Sequence, residues 1–134
     1  MEWRPLGGVV LGSDGKLTFP KTGNDPALYC FKVRRGGRES RYVGETDNLN
    51  RRMGNYRNPG LTQQTSLRMN AILKSELLAG SEIAISVVTG GAWIETPKGR
   101  KAADLSSKVV RCLLENAAIV LCGGYEIEML NRAK

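Results

Sequence analysis

The sequence predicts an α/β domain of the mixed α+β type, with the order hairpin, β, β, α, α, β, α along its 134 residues. Three observations predict it. Residues 27–33 and 39–44 have the pattern of two strands around a Gly-rich turn at 34–38. Apolar side chains at helical spacing follow the second strand. Residues 82–88 are apolar and β-branched, as in a third strand.

An additional hairpin is expected at the N-terminus. Residues 7–19 alternate around Ser13-Asp14-Gly15, which is a turn signal. Residues 1–26, which contain this hairpin, are interpreted as an extension of the main part of the domain at 27–134. Because no linker or internal repeat divides the chain, we expect one compact domain overall.

The register of the hairpin at 27–44 determines how two tyrosines meet. If Arg35-Gly36 forms the centre of the turn, Tyr29 lies directly opposite Tyr42, with Cβ atoms roughly 5 Å apart. If Gly36-Gly37 forms the centre, Tyr42 lies opposite Phe31 and diagonal to Tyr29. Both registers place the two tyrosines on the same face of the sheet, whereas a slip by one residue separates them.

Capping residues mark the two helices that follow. The first is expected to begin at Thr46-Asp47-Asn48 and to end at Asn58-Pro59-Gly60. Thr65 or Ser66 is expected to cap the second helix, which stops at Gly80.

The third strand and a loop precede the last helix. The loop is expected over residues 90–103 and contains Trp93 and a cluster of basic residues. Asp104 is expected to cap a third helix that runs through Leu121.

The composition favours a polyanionic partner and excludes several kinds of catalytic site. Lys and Arg total 20 against 13 Asp and Glu, which gives a net charge of +7. The chain contains no histidine, so serine–histidine triads and histidine metal ligands are excluded. Any acid–base chemistry must therefore rest on Tyr, Lys, Arg or carboxylate groups.

The cysteines and the hydropathy pattern bear on the compartment. Cys30, Cys112 and Cys122 have no metal-binding spacing, and we interpret them as buried, reduced thiols of a cytoplasmic protein. No apolar run of membrane length and no signal peptide is recognisable, so no membrane partner is expected.

Tyr29, Tyr42 and Arg52 are the first candidates for chemistry. The two tyrosines have a purely structural alternative, which is aromatic packing across a hairpin. In the functional interpretation, a phenolic oxygen near a cation accepts a proton from water or holds a phosphate. Arg52 shares a helical stripe with Leu49 and Tyr56 and so points inward, where it needs an anionic partner. Its alternative is a guanidinium that extends to solvent at the helix edge.

Glu115 is the candidate metal ligand. The helical projection places it beside Arg111 and opposite an apolar side, and it precedes a segment, 117–122, that is apolar nearly all round. A lone carboxylate there suits Mg²⁺, which keeps most of its waters. The alternative is an exposed ion pair between Glu115 and Arg111 one turn away. The apolar side of that projection consists of Val109, Val110, Leu113, Ala117 and Leu121.

Together these positions resemble the GIY-YIG nuclease family over residues 27–131. Ala27-Leu28-Tyr29 corresponds to the first triplet of the family, and Tyr42-Val43-Gly44 to the second. The stretch from Tyr42 to Arg52 matches the second motif closely and aligns the family's arginine with Arg52 rather than Arg51. The sequence departs from the family pattern at Ala27 and Leu28, where only Tyr29 of the first triplet is retained. The stretch 64–70 also resembles that of small bacterial members of the family.

The resemblance implies a small sheet of three antiparallel strands flanked by helices, and metal-dependent hydrolysis of DNA. Tyr29, helped by Tyr42, would activate water, Arg52 would stabilise the phosphate, and Tyr56 would assist proton transfer. Glu115 would bind one Mg²⁺ or Mn²⁺. The resemblance implies supporting roles for Gly44 and Asn131.

Substrate contacts and oligomeric state are less specific in the sequence. DNA is the expected partner and RNA is a second option, and the protein is either a monomer or a homodimer. A non-catalytic nucleic-acid-binding module and a small interaction domain are the alternatives to a nuclease. Six basic side chains are expected either to contact phosphates or to be ordinary solvated charges, namely Arg51, Arg57, Arg68, Lys98, Arg100 and Lys101.

Overall fold

The structure is a computed structural model that describes residues 1–124 and 126–131. Its strands are β1 (Arg4–Leu11), β2 (Leu17–Thr18), β3 (Ala27–Arg35), β4 (Arg38–Thr46), β5 (Glu82–Val88), β6 (Trp93–Thr96), β7 (Gly99–Ala102) and β8 (Ile127–Met129). Its helices are α1 (Leu49–Arg57), α2 (Gln64–Leu78) and α3 (Lys108–Cys122). The mixed α+β class is therefore confirmed.

The main sheet is larger than the expected three strands. Across the described residues it has six, in the order β2-β1-β5-β3-β4-β8. The expected strands form its antiparallel centre, β5-β3-β4. The N-terminal strand β1 pairs with β5, and the short β8 pairs in parallel with the first half of β4. The strands β1 and β2 form the expected N-terminal hairpin. The three-stranded expectation was wrong because the β1–β5 and β4–β8 pairings, which enlarge the sheet, join segments that are distant in sequence.

The β3–β4 hairpin adopts the second of the two registers. Gly36 and Gly37 form the turn with φ of +54° and +81°, values that glycine adopts without strain. Tyr42 lies opposite Phe31, and Tyr29 lies opposite Gly44. The two tyrosines consequently share a face as diagonal neighbours, with ring centroids 6.5 Å apart.

The starts of the helices confirm one of the expected caps and correct two. Asn48 caps α1, since its side chain accepts a hydrogen bond from Arg51 N at 3.0 Å. The second helix begins earlier than expected, after Gln63, whose side chain makes no cap bond. Asp104 is not the cap of α3, because its carboxylate is engaged by Ser106 in the preceding turn, and Ser107 caps the helix instead.

The segment 90–103 is not a loop throughout. It forms a separate two-stranded sheet, β6–β7, in which Trp93 pairs with Ala102 and Thr96 pairs with Gly99. The sequence pattern missed it because the two strands are only four residues long and lie around a short turn at 97–98.

Helices cover both faces of the main sheet. One core cluster unites Tyr29 and Phe31 with Met53 of α1 and Leu73 of α2. On the opposite face, α3 buries Leu114 and Ala118 against clusters that contain Leu28 and Cys30. Burial raises the pKa of the Cys30 thiol to about 12, as befits an inert core thiol. No helix of the described ranges is long and apolar enough to cross a membrane.

The orientation of α3 corrects the helical projection. Val109, Leu113 and Leu121, expected to face the core, are 80%, 54% and 76% exposed. The buried positions of α3 are instead Arg111, Leu114 and Ala118. The helical projection assumed that the apolar side chains of α3 face the core. It was wrong because the buried face of the helix contains Arg111.

Candidate active site

Tyr29 projects from β3 across the position of Gly44 on the neighbouring strand. Its side chain is buried, and a Cβ atom added at Gly44 would overlap the Cζ and Oη atoms of Tyr29. Only a residue without a side chain leaves room for this ring. Gly44 therefore sets the path by which the Tyr29 hydroxyl reaches the edge of the sheet.

The Tyr29 hydroxyl lies at the centre of a hydrogen-bonded group. It shares a 2.6 Å hydrogen bond with the hydroxyl of Tyr56 and accepts a 3.1 Å hydrogen bond from Nε of Arg52. The guanidinium of Arg52 also lies over the Tyr56 ring, with Cζ 4.3 Å from the centroid. Nη1 of Arg52 donates to the hydroxyl of Ser66 at 2.6 Å, so the guanidinium is fixed at two ends.

Burial controls the proton affinities in this group. It raises the pKa of Tyr29 well above the ordinary phenol value, although the positive charge of Arg52 acts in the opposite direction. Burial raises the pKa of Tyr56 as well. For Arg52, burial lowers the pKa, but the neighbouring phenols of Tyr29 and Tyr56 outweigh it and the net pKa is raised. At neutral pH the group therefore consists of two neutral phenols and one guanidinium cation.

The group opens into a cleft of about 1140 Å³. Tyr29 and Tyr42 of the sheet, Arg52 of α1 and Arg68 of α2 line the cleft on one side. Glu115 of α3 lines it on the other. The position predicted for metal binding thus faces the same space as the tyrosine and arginine positions, although α3 packs on the opposite face of the sheet.

This convergence is possible because the cleft lies at the edge of β4. The parallel partner β8 pairs only with residues 39–41, so among the described residues no strand pairs with the outer side of the second half of β4. Asn131 closes part of this edge. Its Oδ1 accepts from Val43 N at 2.9 Å, and its Nδ2 donates to Val43 O at 2.7 Å. Its side chain thereby satisfies the backbone as a strand would, and it lines the cleft as well.

Arg111 connects the cleft to the start of α3. Its Nε donates to Glu45 of β4 at 2.8 Å, and its Nη1 donates to the carbonyls of Leu105 and Ser106. Arg111 is buried, and Glu45 lines the cleft. Glu45, rather than a residue of α3 itself, is therefore the ion-pair partner that accounts for the burial of Arg111.

The fit of a metal ion rests on the donor set. Among residues 1–124 and 126–131, no group of three or more Asp, Glu, Cys or His side chains is placed so that it could hold a metal ion. Two carboxylates line the cleft, Glu115 and Glu45, and Glu45 is paired with Arg111. Such a site nonetheless suits Mg²⁺, because this ion retains several waters and binds through one or two carboxylates plus substrate phosphate. Glu115 meets this condition.

The remaining predicted positions divide between the cleft and the surface. Arg68 lines the cleft, and Arg51 is exposed and paired with Asp47. Arg57 is held by the N-terminal hairpin, where it donates to Leu17 O at 2.7 Å and pairs with Asp14 at 2.8 Å. The other three basic positions, Lys98, Arg100 and Lys101, lie exposed on the β6–β7 hairpin.

Several residues that shape the site were not predicted. Ser66 anchors Arg52, the pair Glu45–Arg111 ties α3 to β4, and Asn70 donates from Nδ2 to the carbonyl of Tyr56 at 2.6 Å. Ser66 and Asn70 lie within the stretch 64–70, whose resemblance to other sequences was the available signal for them. Nothing in the local sequence pattern signals the Glu45–Arg111 pair, because its members are 66 positions apart.

No family model and no curated protein matches the sequence. Among solved structures, the fold is similar to that of a mutant of EndoII from bacteriophage T4, with a TM-score of 0.57 and 16% sequence identity. The similarity covers 86% of each chain. At this level of identity the likeness concerns the fold, and it is shared across almost the whole of both proteins.

Proposed function

We propose that the protein is a divalent-metal-dependent endonuclease that hydrolyses phosphodiester bonds of DNA in the cleft at the β4 edge. One observation carries the proposal. Arg52 is held between the hydroxyls of Tyr29 and Ser66 in a cleft that Glu115 also lines. An oriented cation and a separate carboxylate in one cleft suit a phosphate and a metal ion, respectively. The fold likeness to EndoII, a name that denotes an endonuclease, supports it.

Arg52 would bind and stabilise the phosphate. Two of its nitrogens are occupied by hydroxyls, and the guanidinium has five N–H donors, so further donors remain for phosphate oxygens. The fixed orientation removes the cost of ordering the side chain when charge develops on the phosphate. Arg68, which also lines the cleft, adds positive charge beside it.

Tyr29 would act as the general base toward water. Because burial keeps its phenol neutral, the phenol must lose its proton before it accepts one from the attacking water. The nearby Arg52 cation favours the ionised form, and the Tyr56 hydroxyl is positioned to stabilise it with a hydrogen bond. Tyr42 packs beside Tyr29 and would hold the water or the phosphate.

Glu115 would hold one Mg²⁺ or Mn²⁺, which when bound supplies Lewis-acid stabilisation of the leaving oxygen. Gly44 would keep the path of Tyr29 open, and Asn131 would fix the edge of β4 next to it. Cleavage of the bond to the 3′-oxygen leaves a 5′-phosphate and a 3′-hydroxyl.

The test is nicking of supercoiled plasmid with and without Mg²⁺ or Mn²⁺. Wild type should nick only with metal, and Glu115→Gln should lose at least about 100-fold in rate at a temperature where both proteins are folded. Glu82→Gln, an exposed glutamate on β5, is the matched control and should keep full activity. Equal nicking by wild type and Glu115→Gln would overturn the proposal. Binding without nicking by wild type would favour a non-catalytic nucleic-acid-binding module.

A further inference from the structure

The β6–β7 hairpin is an arm that stands apart from the main sheet. Its strands pair only with each other among the described residues. At its base, Ala103 N donates to Ala92 O at 2.8 Å, and Ala92 is buried in a cluster with Leu28 and Leu114. The arm is thus anchored through its base, while all four residues of β7 are exposed.

The arm presents an aromatic ring and positive charge together. Trp93 is 53% exposed, and the guanidinium of Arg100 lies over it with Cζ 5.0 Å from the ring centroid. The pairing of Trp93 with Ala102 places Arg100 diagonally across the hairpin on the same face. Residues 93–102 contain three basic side chains and one acidic one, a net charge of +2.

The base of the arm is also connected to the cleft. The chain leaves β7 into the turn that contains Leu105 and Ser106, and the carbonyls of both accept hydrogen bonds from Arg111. Arg111 in turn pairs with Glu45, which lines the cleft. The base of the arm is therefore tied to the cleft through a partly buried ion pair rather than through a flexible linker.

We propose that this arm binds an unpaired nucleobase of the substrate on the indole of Trp93, with Arg100 and its basic neighbours at the adjacent phosphates. The inference rests on the proposed function and specifies its substrate as DNA with a single-stranded segment next to the cleavage site. The bases of an intact duplex are stacked on one another and offer no free face to an indole. An unpaired base exposes a face on which the indole can stack, and such stacking depends little on which base it is.

Arg100 strengthens the case for stacking. A cation over the ring restrains the indole on the exposed hairpin, so less conformational freedom is lost when a base binds. Trp93 also lies near the base of the arm rather than at its tip, which occupies 97–98. Trp93 is therefore close to the anchored end of the arm, where Ala92 joins it to the core.

The test compares binding of fluorescently labelled oligonucleotides by anisotropy in EDTA, where no cleavage takes place. Trp93→Ala should weaken binding to a duplex with a single-stranded overhang by about tenfold or more, and should leave binding to the matched blunt duplex within about twofold. Trp93→Phe, which keeps an aromatic ring, should retain most of the overhang affinity. Leu78→Ala, another exposed large apolar residue, is the control and should have no effect.

Two outcomes overturn the proposal. One is unchanged overhang binding by Trp93→Ala, and the other is an equal loss on both oligonucleotides, which would mark the arm as a general electrostatic contact. Failure of the proposed function is separable, because it appears as absent nicking by wild type, whereas the preference for the overhang is measured without metal. Lys101→Gln should weaken binding to the overhang oligonucleotide and lower the salt dependence of that binding, because it removes one phosphate contact.

Discussion

The hydroxyls of Tyr29 and Tyr56 lie 2.6 Å apart, and only one of them can donate to the other. Nε of Arg52 donates a hydrogen bond to the Tyr29 oxygen at 3.1 Å, so one lone pair of that oxygen is already engaged. The pair therefore behaves as one ionisable unit beside a fixed cation. The first predictions concern this unit.

Removing either hydroxyl should have different consequences for activity. Tyr29→Phe should lower the nicking rate by about 10²–10⁴-fold, because it removes the proposed base. Tyr56→Phe should cost less, about tenfold, because it removes only a hydrogen bond to Tyr29.

The wild-type rate should rise with pH between 6 and 9, because burial raises the Tyr29 pKa and the ionised form is scarce. Initial nicking rates of wild type, Tyr29→Phe and Tyr56→Phe across this pH range test these expectations. A wild-type rate that does not change with pH would contradict the proposed role of Tyr29.

Replacing Arg52 with lysine should abolish the fixed orientation without removing the charge. An ammonium group cannot reproduce the forked donation to Tyr29 and Ser66. Arg52→Lys should lower the nicking rate by at least about 100-fold. Arg51→Lys is the matched control, since Arg51 is exposed and its recorded partner is Asp47. The nicking rates of the two variants are measured in parallel, at a temperature where both are folded. An equal loss of activity in both variants would contradict the role assigned to Arg52.

The overlap at Gly44 predicts an effect on stability. Gly44→Ala should destabilise the fold by about 1–3 kcal/mol, because the added methyl group collides with the Tyr29 ring in a packed region. Gly54→Ala, in the interior of α1 with no atom within 4 Å of the added Cβ, should stabilise by about 0.5–1 kcal/mol. Urea unfolding measures the two free energies. Equal effects of the two substitutions would contradict the described path of Tyr29.

Stability should fall in alkaline solution. The pKa values of Tyr29 and Tyr56 are raised by burial above about 10, the value for a tyrosine in an unfolded chain. The folded state then binds these protons more tightly than the unfolded state. Their contribution is fully present below about pH 10 and is lost as the pH rises through the folded-state pKa values. Melting temperatures from pH 8 to 11 should decline less steeply for Tyr56→Phe than for wild type.

The local parts of the fold were accessible from the sequence. The glycine-rich turn limited the hairpin to two registers, of which the structure adopts the one that pairs Tyr42 with Phe31, and Asn48 marked the start of α1. A turn and a cap depend mainly on neighbouring residues. The same short-range logic placed Arg52 on an inward stripe. What it could not supply was the partner of Arg52, the hydroxyl of Ser66 on another helix.

The caps of α2 and α3 and the β6–β7 hairpin were local errors, whereas the other misplaced features depend on contacts between distant segments. The apolar face of α3 was assigned wrongly because the burial of Arg111 depends on Glu45, which no periodicity in α3 reveals. The pairings of β1 with β5 and of β8 with β4 join strands that are far apart in the sequence. Glu115 and Tyr29 line the same cleft because β8 pairs only with the first half of β4. No local sequence pattern indicates how far that pairing extends.

Asn131 also determines which backbone groups at this sheet edge are free to pair. A sheet edge with unpaired N–H and C=O groups is a template on which a second chain can add a strand. By bonding both backbone groups of Val43, the side chain of Asn131 occupies the position where an added strand would pair. A single amide thus satisfies the strand edge at Val43 without a further strand, and the adjoining space is left to the cleft.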